Sequence, residues 1–297
     1  MPNSIELAKK YQPIIDEIYA TESKTAVLDS PTVDMSGANE IKILKISTQG
    51  LGTYAGSYPK GTITSAWETL KLLQKRSRRF DIDRADNEES LDMLVAGTVG
   101  QFTRTQVVPE IDAIRFAKYA DKAGKKVEDE LTSSTFKAAV DSALTYMVNK
   151  GVPESEIMIF INAFKRDDFY KGITRTLAND TVANMKVNLY NNQCPIIEVP
   201  STRFYSALTL LDGATSGQEA GGYIKNASTG RDINFMCVAK SAVWQAVKWT
   251  ENKMFTPEQN QESSGYIYDF LVYHDAGAYD NKVDGIYVHK DPDGLSS

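Results

Sequence analysis

The stretch from Asp86 to Gly124, DNEESLDMLVAGTVGQFTRTQVVPEIDAIRFAKYADKAG, constrains the fold most, because nearly every local signal in it predicts helix. Asp86 is a candidate cap, and Glu88 and Glu89 sit where the positive end of a helix dipole favours carboxylates. Leu91, Leu94, Val95, Thr98, Val99 and Phe102 recur at helical spacing and make one apolar stripe. Lys118 and Lys122 fall in the last turns, and Gly124 is the expected stop. At ~1.5 Å per residue such a rod would be roughly 55 Å long. Pro109 removes a backbone donor and crowds the preceding turn, so a kink or break is expected there. A rod of this length cannot be covered along its whole extent by one compact domain. It reads as a spine, with Leu91, Val95 and Phe102 expected to pack beneath the aromatic-rich segment Tyr266 to Tyr273.

The segments before it lack cores of their own. Asn3 to Ser23 reads as an amphipathic arm, split by Pro13, followed by a linker rich in turn formers up to Asn39. Glu40 to Ser47 and Thr62 to Leu73 then read as the two arms of a long hairpin, with a Gly-, Tyr- and Pro-rich tip from Gly50 to Gly61. Neither arm alternates cleanly, so neither shows one obvious core-facing side. A two-stranded ribbon is marginal alone in water, and this one is expected to lie on a neighbouring molecule. Gly50, Leu51, Tyr54, Tyr58, Lys60 and Trp67 are the candidate contact residues.

The basic cluster Lys75, Arg76, Arg78 and Arg79 comes next. It reads as a solvated return strand with charges outward, as a set of cations meeting carboxylates of a neighbouring subunit, or as a phosphate site. The last lacks the aromatic interleaving of a single-strand binder. On the second reading, reversing two of the charges would impair assembly and leave the melting temperature nearly unchanged, since exposed pairs contribute about 0 to 1 kcal/mol each.

Beyond Gly124 the pattern becomes short alternating elements. Helices are predicted over Ser134 to Lys150, from Asn162 to about Leu177, and after Ser241 (AVWQAVKW). Strands are predicted at Ile157 to Ile161, Lys186 to Tyr190, Ile196 to Val199 and Ile233 to Ala239, and Gly265 to Lys290 is strand-like again. Asp212 to Asp232 reads as an exposed loop. Helices alternating with buried strands predict an α/β layer within a chain of α+β class.

Several functions find little support. The net charge of -6 disfavours phosphate gripping as the main role. Cys194 and Cys237 sit in apolar neighbourhoods and read as buried thiols. No apolar run is long enough for a membrane span, and the N-terminus has no apolar core like a signal peptide's, so the chain is expected in cytoplasm or in something assembled there. Gly50-Leu51-Gly52-Thr53-Tyr54-Ala55 matches a dinucleotide-loop spacing, but the required helix is not found after it. Phosphate-loop, serine-elbow and zinc-protease motifs are absent, and His274 and His289 lie apart from either cysteine. No catalytic residue, metal site or cofactor is indicated.

Taken in order, these elements resemble the tailed-bacteriophage major capsid protein family. Local phrases support the order: IELAKKYQPIIDEIYATES, EIKILKISTQGLGTYA leading to WETLKLLQKRSRRFDIDRADNEE, VVPEIDAIRFAKYA, and YHDAGAYDNKVDGIYVHK. The resemblance implies an N-terminal arm (residues 1–39), an extended hairpin loop (40–80), a peripheral domain with the spine helix (81–130), an α/β axial domain (131–249) and a return to the peripheral domain (250–297). It implies a structural subunit that assembles with itself into hexamers and pentamers of an icosahedral shell. The shell would enclose double-stranded DNA without sequence-specific binding, and work with portal and scaffolding proteins. Assembly would take place in host cytoplasm and end in the virion. The chain opens on the arm, so scaffolding is expected from a separate protein. Some members join a hairpin lysine to a neighbour's asparagine; Lys60 with Asn252 or Asn281 are the residue types here. An encapsulin-type compartment shell, which shares the fold, and an α/β enzyme using Ser134 to Lys248 are the alternatives.

Overall fold

The computed structural model describes residues 23–29, 40–54, 56–84, 99–172, 189–261 and 263–292. The arm before Ser23, and Leu91 and Val95 of the helical stripe, lie outside the described residues. Strands β1 (Glu40–Thr48) and β2 (Ile63–Lys71) are followed by β3 (Gln74–Ile82). The described spine helix runs from residue 99 through a π turn (Thr103–Val107) into α1 (Val108–Lys122). Then come β4 (Lys125–Glu128), α2 (Phe136–Asn149), β5 (Ile157–Asn162), α3 (Arg166–Gly172), β6 (Leu189–Tyr190) and β7 (Cys194–Val199). The chain continues through β8 (Leu208–Leu210), β9 (Tyr223–Lys225), β10 (Ile233–Ala239), β11 (Val243–Phe255), β12 (Tyr266–Ala278) and β13 (Ile286–Lys290).

Among the described residues the strands form four sheets. β1 and β2 make a separate antiparallel ribbon, and β8 and β9 a small flap. A three-stranded antiparallel sheet has the order β11-β12-β3, and a mixed six-stranded sheet the order β4-β13-β10-β5-β7-β6. This is the α+β class expected. Sheet membership cuts across the boundaries read from the sequence, however. β4 and β13, assigned to the spine-bearing part, pair with each other in parallel and extend the sheet of β10, β5 and β7.

The spine helix links two cores. Its first half packs Val99, Val107 and Ile111 on Tyr268, Phe270 and Val272 of β12. Its second half sends Phe116, Tyr119 and Ala120 into the main core, with Phe160 of β5 and Phe235 of β10. The Phe116 ring stands edge-on to Phe160 and Phe204 at 5.2 and 4.9 Å between centroids. α2 turns Phe136, Val140, Ala143, Leu144 and Met147 into the same core, as its spacing predicts.

The interruption near Pro109 takes the form of the π turn. Proline cannot donate to the carbonyl four residues back, and its ring crowds that carbonyl. The turn ahead is widened, with the Val108 N–H bonding to the carbonyl of Thr103, five residues earlier. The hydroxyls of Thr103 and Thr105 donate to the carbonyls of Val99 and Gln101 at 3.0 and 2.8 Å, a back-bonding that bends helices. Gly124 does not end the helix by a left-handed turn, because Ala123 is already extended. Its role is close approach: a Cβ there would lie 2.8 Å from the Val283 carbonyl oxygen, to which the Gly124 N–H donates at 2.9 Å.

Two other expectations are corrected. AVWQAVKW is strand β11, not a helix, and it pairs with β12 along its length. A bulge between Val247 and Trp249 shifts the phase of its alternation, so its apolar residues mimic a helical period. The helix from Asn162 begins as expected, with its side chain accepting from Phe164 N at 3.0 Å, and α3 is described as far as Gly172; residues 173–177 lie outside the described residues. Asp212 to Asp232 is not wholly a loop, since β9 pairs with β8 inside it.

Candidate functional site

The ribbon is the least covered part of the described chain. Its register places Leu44 opposite Trp67, Ile46 opposite Ser65, and Thr48 opposite Ile63. Residues directly opposite share a face. Leu44, Ile46, Ile63 and Trp67 therefore line one face, where they are 43, 64, 72 and 64% exposed. The sequence reading missed this stripe because each strand places apolar residues on both faces. The other face serves the base: Leu70 packs near Trp244 and Ala246, with Ile43 alongside. There Lys45 pairs with Glu68 at 3.0 Å and with Asp280 at 2.8 Å. Gly50, Leu51, Tyr54, Tyr58 and Lys60 are all exposed at the tip. The rings of Tyr54 and Tyr58 tilt against each other at 5.3 Å. Gly52 is needed there, since a Cβ would meet Pro59 Cγ at 2.7 Å.

The basic cluster is divided by strand alternation. Lys75 and Arg79 lie on the exposed side of β3, whereas Arg76 and Arg78 face inward. Arg76 grips Glu110 of α1 through Nε at 2.5 Å and Nη2 at 3.3 Å, and also donates from Nη2 to the Gly222 carbonyl at 3.1 Å. Arg78 donates to the Glu219 carbonyl at 3.2 Å. Arg79 makes a two-pronged pair with Asp269 of β12, at 2.7 and 2.9 Å, and the Lys75 ammonium lies 6.0 Å from the Trp249 ring centroid. The reading of four outward charges is corrected accordingly. Arg76 ties β3, the spine and the flap together, so its loss belongs to the fold. Arg76→Ala is expected to cost about 1.5–3 kcal/mol, the range for hydrogen bonds to charged groups. Urea unfolding should show that loss, and an unchanged midpoint would mean the pair contributes nothing net.

Between β3, the π turn and the loop leading to β9 lies a half-open cleft of about 520 Å³. Phe80, Phe102, Val107, Phe270 and Val272 give it an apolar floor, and Arg78 and Gln106 stand among its polar walls. Phe102 is half-buried here, edge-on to Phe80 at 4.9 Å and to Phe270 at 5.5 Å. His274 also lines the cleft. It is fully buried, and neither ring nitrogen has a hydrogen-bond partner among the described residues. Burial, and then the nearby Arg115 and Arg76 charges, push its pKa down to about 3, so the ring is neutral.

A buried polar knot fixes the chain at Ser23–Thr25. The Asp112 carboxylate accepts from Ser23 Oγ at 2.7 Å, from Lys24 N at 2.9 Å, and from Thr25 Oγ1 at 2.7 Å and Thr25 N at 3.3 Å. Arg203 donates to it at 3.4 Å, and Arg115 donates to Thr25 Oγ1 at 2.8 Å. The sequence reading did not single out Asp112, although it falls one helical turn after Val108 on a face that also carries Arg115 and Tyr119. No cluster of metal-binding side chains occurs among the described residues. Cys194 and Cys237 are buried and reduced, and burial pushes both thiols up, away from reactivity. No described helix is long and apolar enough to cross a membrane.

No protein-family model matches the chain, and no curated protein matches it in sequence. Solved structures match its fold over most of its length. A chain of the mature capsid of bacteriophage PhiM1 aligns with a TM-score of 0.60 at 12% identity, covering 89% of this chain and 85% of that one. The capsid of cyanophage P-SCSP1u aligns at 0.57 and 12%, over 89% and 86%. A virus-like particle from Pyrococcus furiosus aligns at 0.56 and 8%, over 96% and 99%. The chain has the fold of tailed-phage capsid subunits.

Proposed function

We propose that this chain is a non-enzymatic building block of an icosahedral capsid, assembling with itself into hexamers and pentamers around double-stranded DNA. The observation that supports this most directly is the uncovered apolar face of the ribbon. Four large side chains on one face of a two-stranded ribbon need a cover, and no described residue of the same chain supplies it. A contact between unlike patches on identical subunits closes into rings when its rotation allows. The shared fold agrees with such a role. In this reading the sheet of β11, β12 and β3 with the first half of the spine forms the peripheral part, and the six-stranded sheet the axial part. Lys75, on the outward side of β3, is the member of the basic cluster we assign to a neighbour. The net charge of -6 suits a container that must release its genome. Portal and scaffolding proteins would be its partners, and the virion its final location, reached from host cytoplasm.

The test is assembly of the purified chain and of an Ile46→Ser/Trp67→Ser double variant, followed by electron microscopy and sedimentation. Closed particles are expected from the parent chain and none from the variant. The variant's thermal unfolding should shift by no more than about 0.5 kcal/mol per site, as for surface substitutions. A variant that forms particles as the parent does would overturn the role of this face. Particles that enclose protein in place of nucleic acid would turn the reading toward an encapsulin-type shell.

A further inference from the structure

We propose that the cleft between β3, the π turn and the loop before β9 binds an amphipathic carboxylate, its apolar body on the phenylalanine floor and its carboxylate on Arg78. Strand register sets the two halves of such a site side by side. Arg78 and Phe80 are successive inward residues of β3, and Arg78 lies directly opposite Phe270 of β12. A guanidinium is thereby carried to the margin of the floor made by Phe80, Phe102 and Phe270. Phe80 and Phe102 meet each other edge-on, yet the described chain leaves both only half-buried. A concave space of about 520 Å³ with an apolar lining and a few placed polar groups is the usual make-up of a small-molecule site.

Charge selects the head of the ligand. Arg76, Arg78, Glu110 and Asp212 are the carboxylates and guanidinium groups that line the cleft. Arg76 and Glu110 pair with each other. The Asp212 carboxylate accepts from the N–H groups of Ala214 and Thr215 at 2.9 Å each and from the Thr215 hydroxyl, so it is turned toward its own loop. Arg78 has no carboxylate partner among the described residues. Its bond is to a backbone carbonyl, that of Glu219 at 3.2 Å.

The loop is shaped around that guanidinium. Gly213 (φ 76°) and Gly221 (φ 68°) flank it, and a Cβ on them would lie 2.9 and 3.4 Å from Arg78 Nη1. The glycines leave room that side chains would take, and the Glu219 carbonyl holds the group in place. Several of the five guanidinium donors are left over, in a planar fork that a carboxylate meets with two oxygens at once. The Asp212 charge on the same cleft disfavours a dianion, so a single carboxylate suits the site better than a phosphate.

The experiment titrates the full-length chain with octanoate, 1-octanol and acetate, followed by calorimetry and ligand-observed NMR. Octanoate is expected to saturate a single site, octanol to bind about tenfold more weakly for want of the charge-assisted pair, and acetate not to bind. Arg78→Met should weaken octanoate by about the same factor and leave octanol unchanged. Gln106→Trp, an exposed position on the cleft wall, should block both while keeping the parent's melting temperature. If Arg78→Met does not fold, Arg78→Lys keeps the charge but loses the fork, and a several-fold loss of octanoate binding is expected from it. Octanoate and octanol binding alike, or octanoate binding indifferent to the Arg78 variants, would overturn the assignment of the head. No saturable octanoate binding, or binding that survives Gln106→Trp, would overturn the site.

Discussion

Asp112→Ala is expected to destabilise the protein by about 3–5 kcal/mol, the range for breaking a buried charge network by removing one partner. The carboxylate is fully buried on the spine and is the acceptor on which the segment entering from the N-terminal side converges. Its removal leaves the Lys24 and Thr25 N–H groups facing a void and takes a counter-charge from Arg203, itself only 15% exposed. The Arg115–Thr25–Asp112 relay would end on nothing. Asp112→Asn keeps the shape and one acceptor oxygen, so it should lose less. Thr25→Val, which cuts the relay but keeps the volume, is expected to cost about 1–3 kcal/mol. Urea unfolding of the three variants ranks them. An Asp112→Ala protein within 1 kcal/mol of the parent would show that the knot positions the segment without stabilising the fold.

The knot also shows where sequence reading stops. Strong local periodicity was legible: α2, β5 and β10 lie where the apolar spacing predicts, and the hairpin arms differ from the expected limits by a residue or two at most ends. The break before α1 could be read from Pro109, because a missing donor acts locally. Features that depend on pairing were hidden. The stripe of Leu44, Ile46, Ile63 and Trp67 exists only once register sets the two strands opposite each other. β11 was hidden by its bulge. The basic cluster looked like one patch because sequence does not show that a strand divides it, sending Arg76 and Arg78 to the spine and flap while Lys75 and Arg79 stay outside. The cleft joins β3 and the π turn to the loop before β9, which lies more than a hundred residues further along the chain, and no local pattern points to it. The overall architecture, by contrast, was legible through the resemblance in element order, and the shared fold of the phage capsid structures agrees with it.

Mild acid is expected to weaken the fold well before the carboxylates titrate, because both histidines are buried and neutral. Burial pushes His274 down to about 3, helped by Arg115 and Arg76. Burial also pushes His289 down to about 4, with Lys165 lowering it further and Asp129 and Asp291 opposing. His289 stacks on Phe235 at 5.2 Å, and its Nδ1 lies 3.3 Å from Asn234 Nδ2, so protonation there would disturb the main core. For each ring the folded pKa lies below the unfolded value of 6.5. The unfolded chain therefore binds more protons below that value, and stability falls as pH falls. Two such groups give a loss of about 4 kcal/mol between pH 7.5 and 5, at ~1.4 kcal/mol per unit for each ring once well below 6.5. Asp29 and Asp275, both raised by burial, act in the opposite direction, since their protonation favours the fold as pH falls. Denaturant midpoints measured from pH 8 to 5 should decline steadily, and His274→Phe and His289→Phe should each remove about half of that slope. A flat profile, or a slope untouched by either substitution, would mean that the rings find proton-accepting partners when charged and that acid sensitivity arises elsewhere.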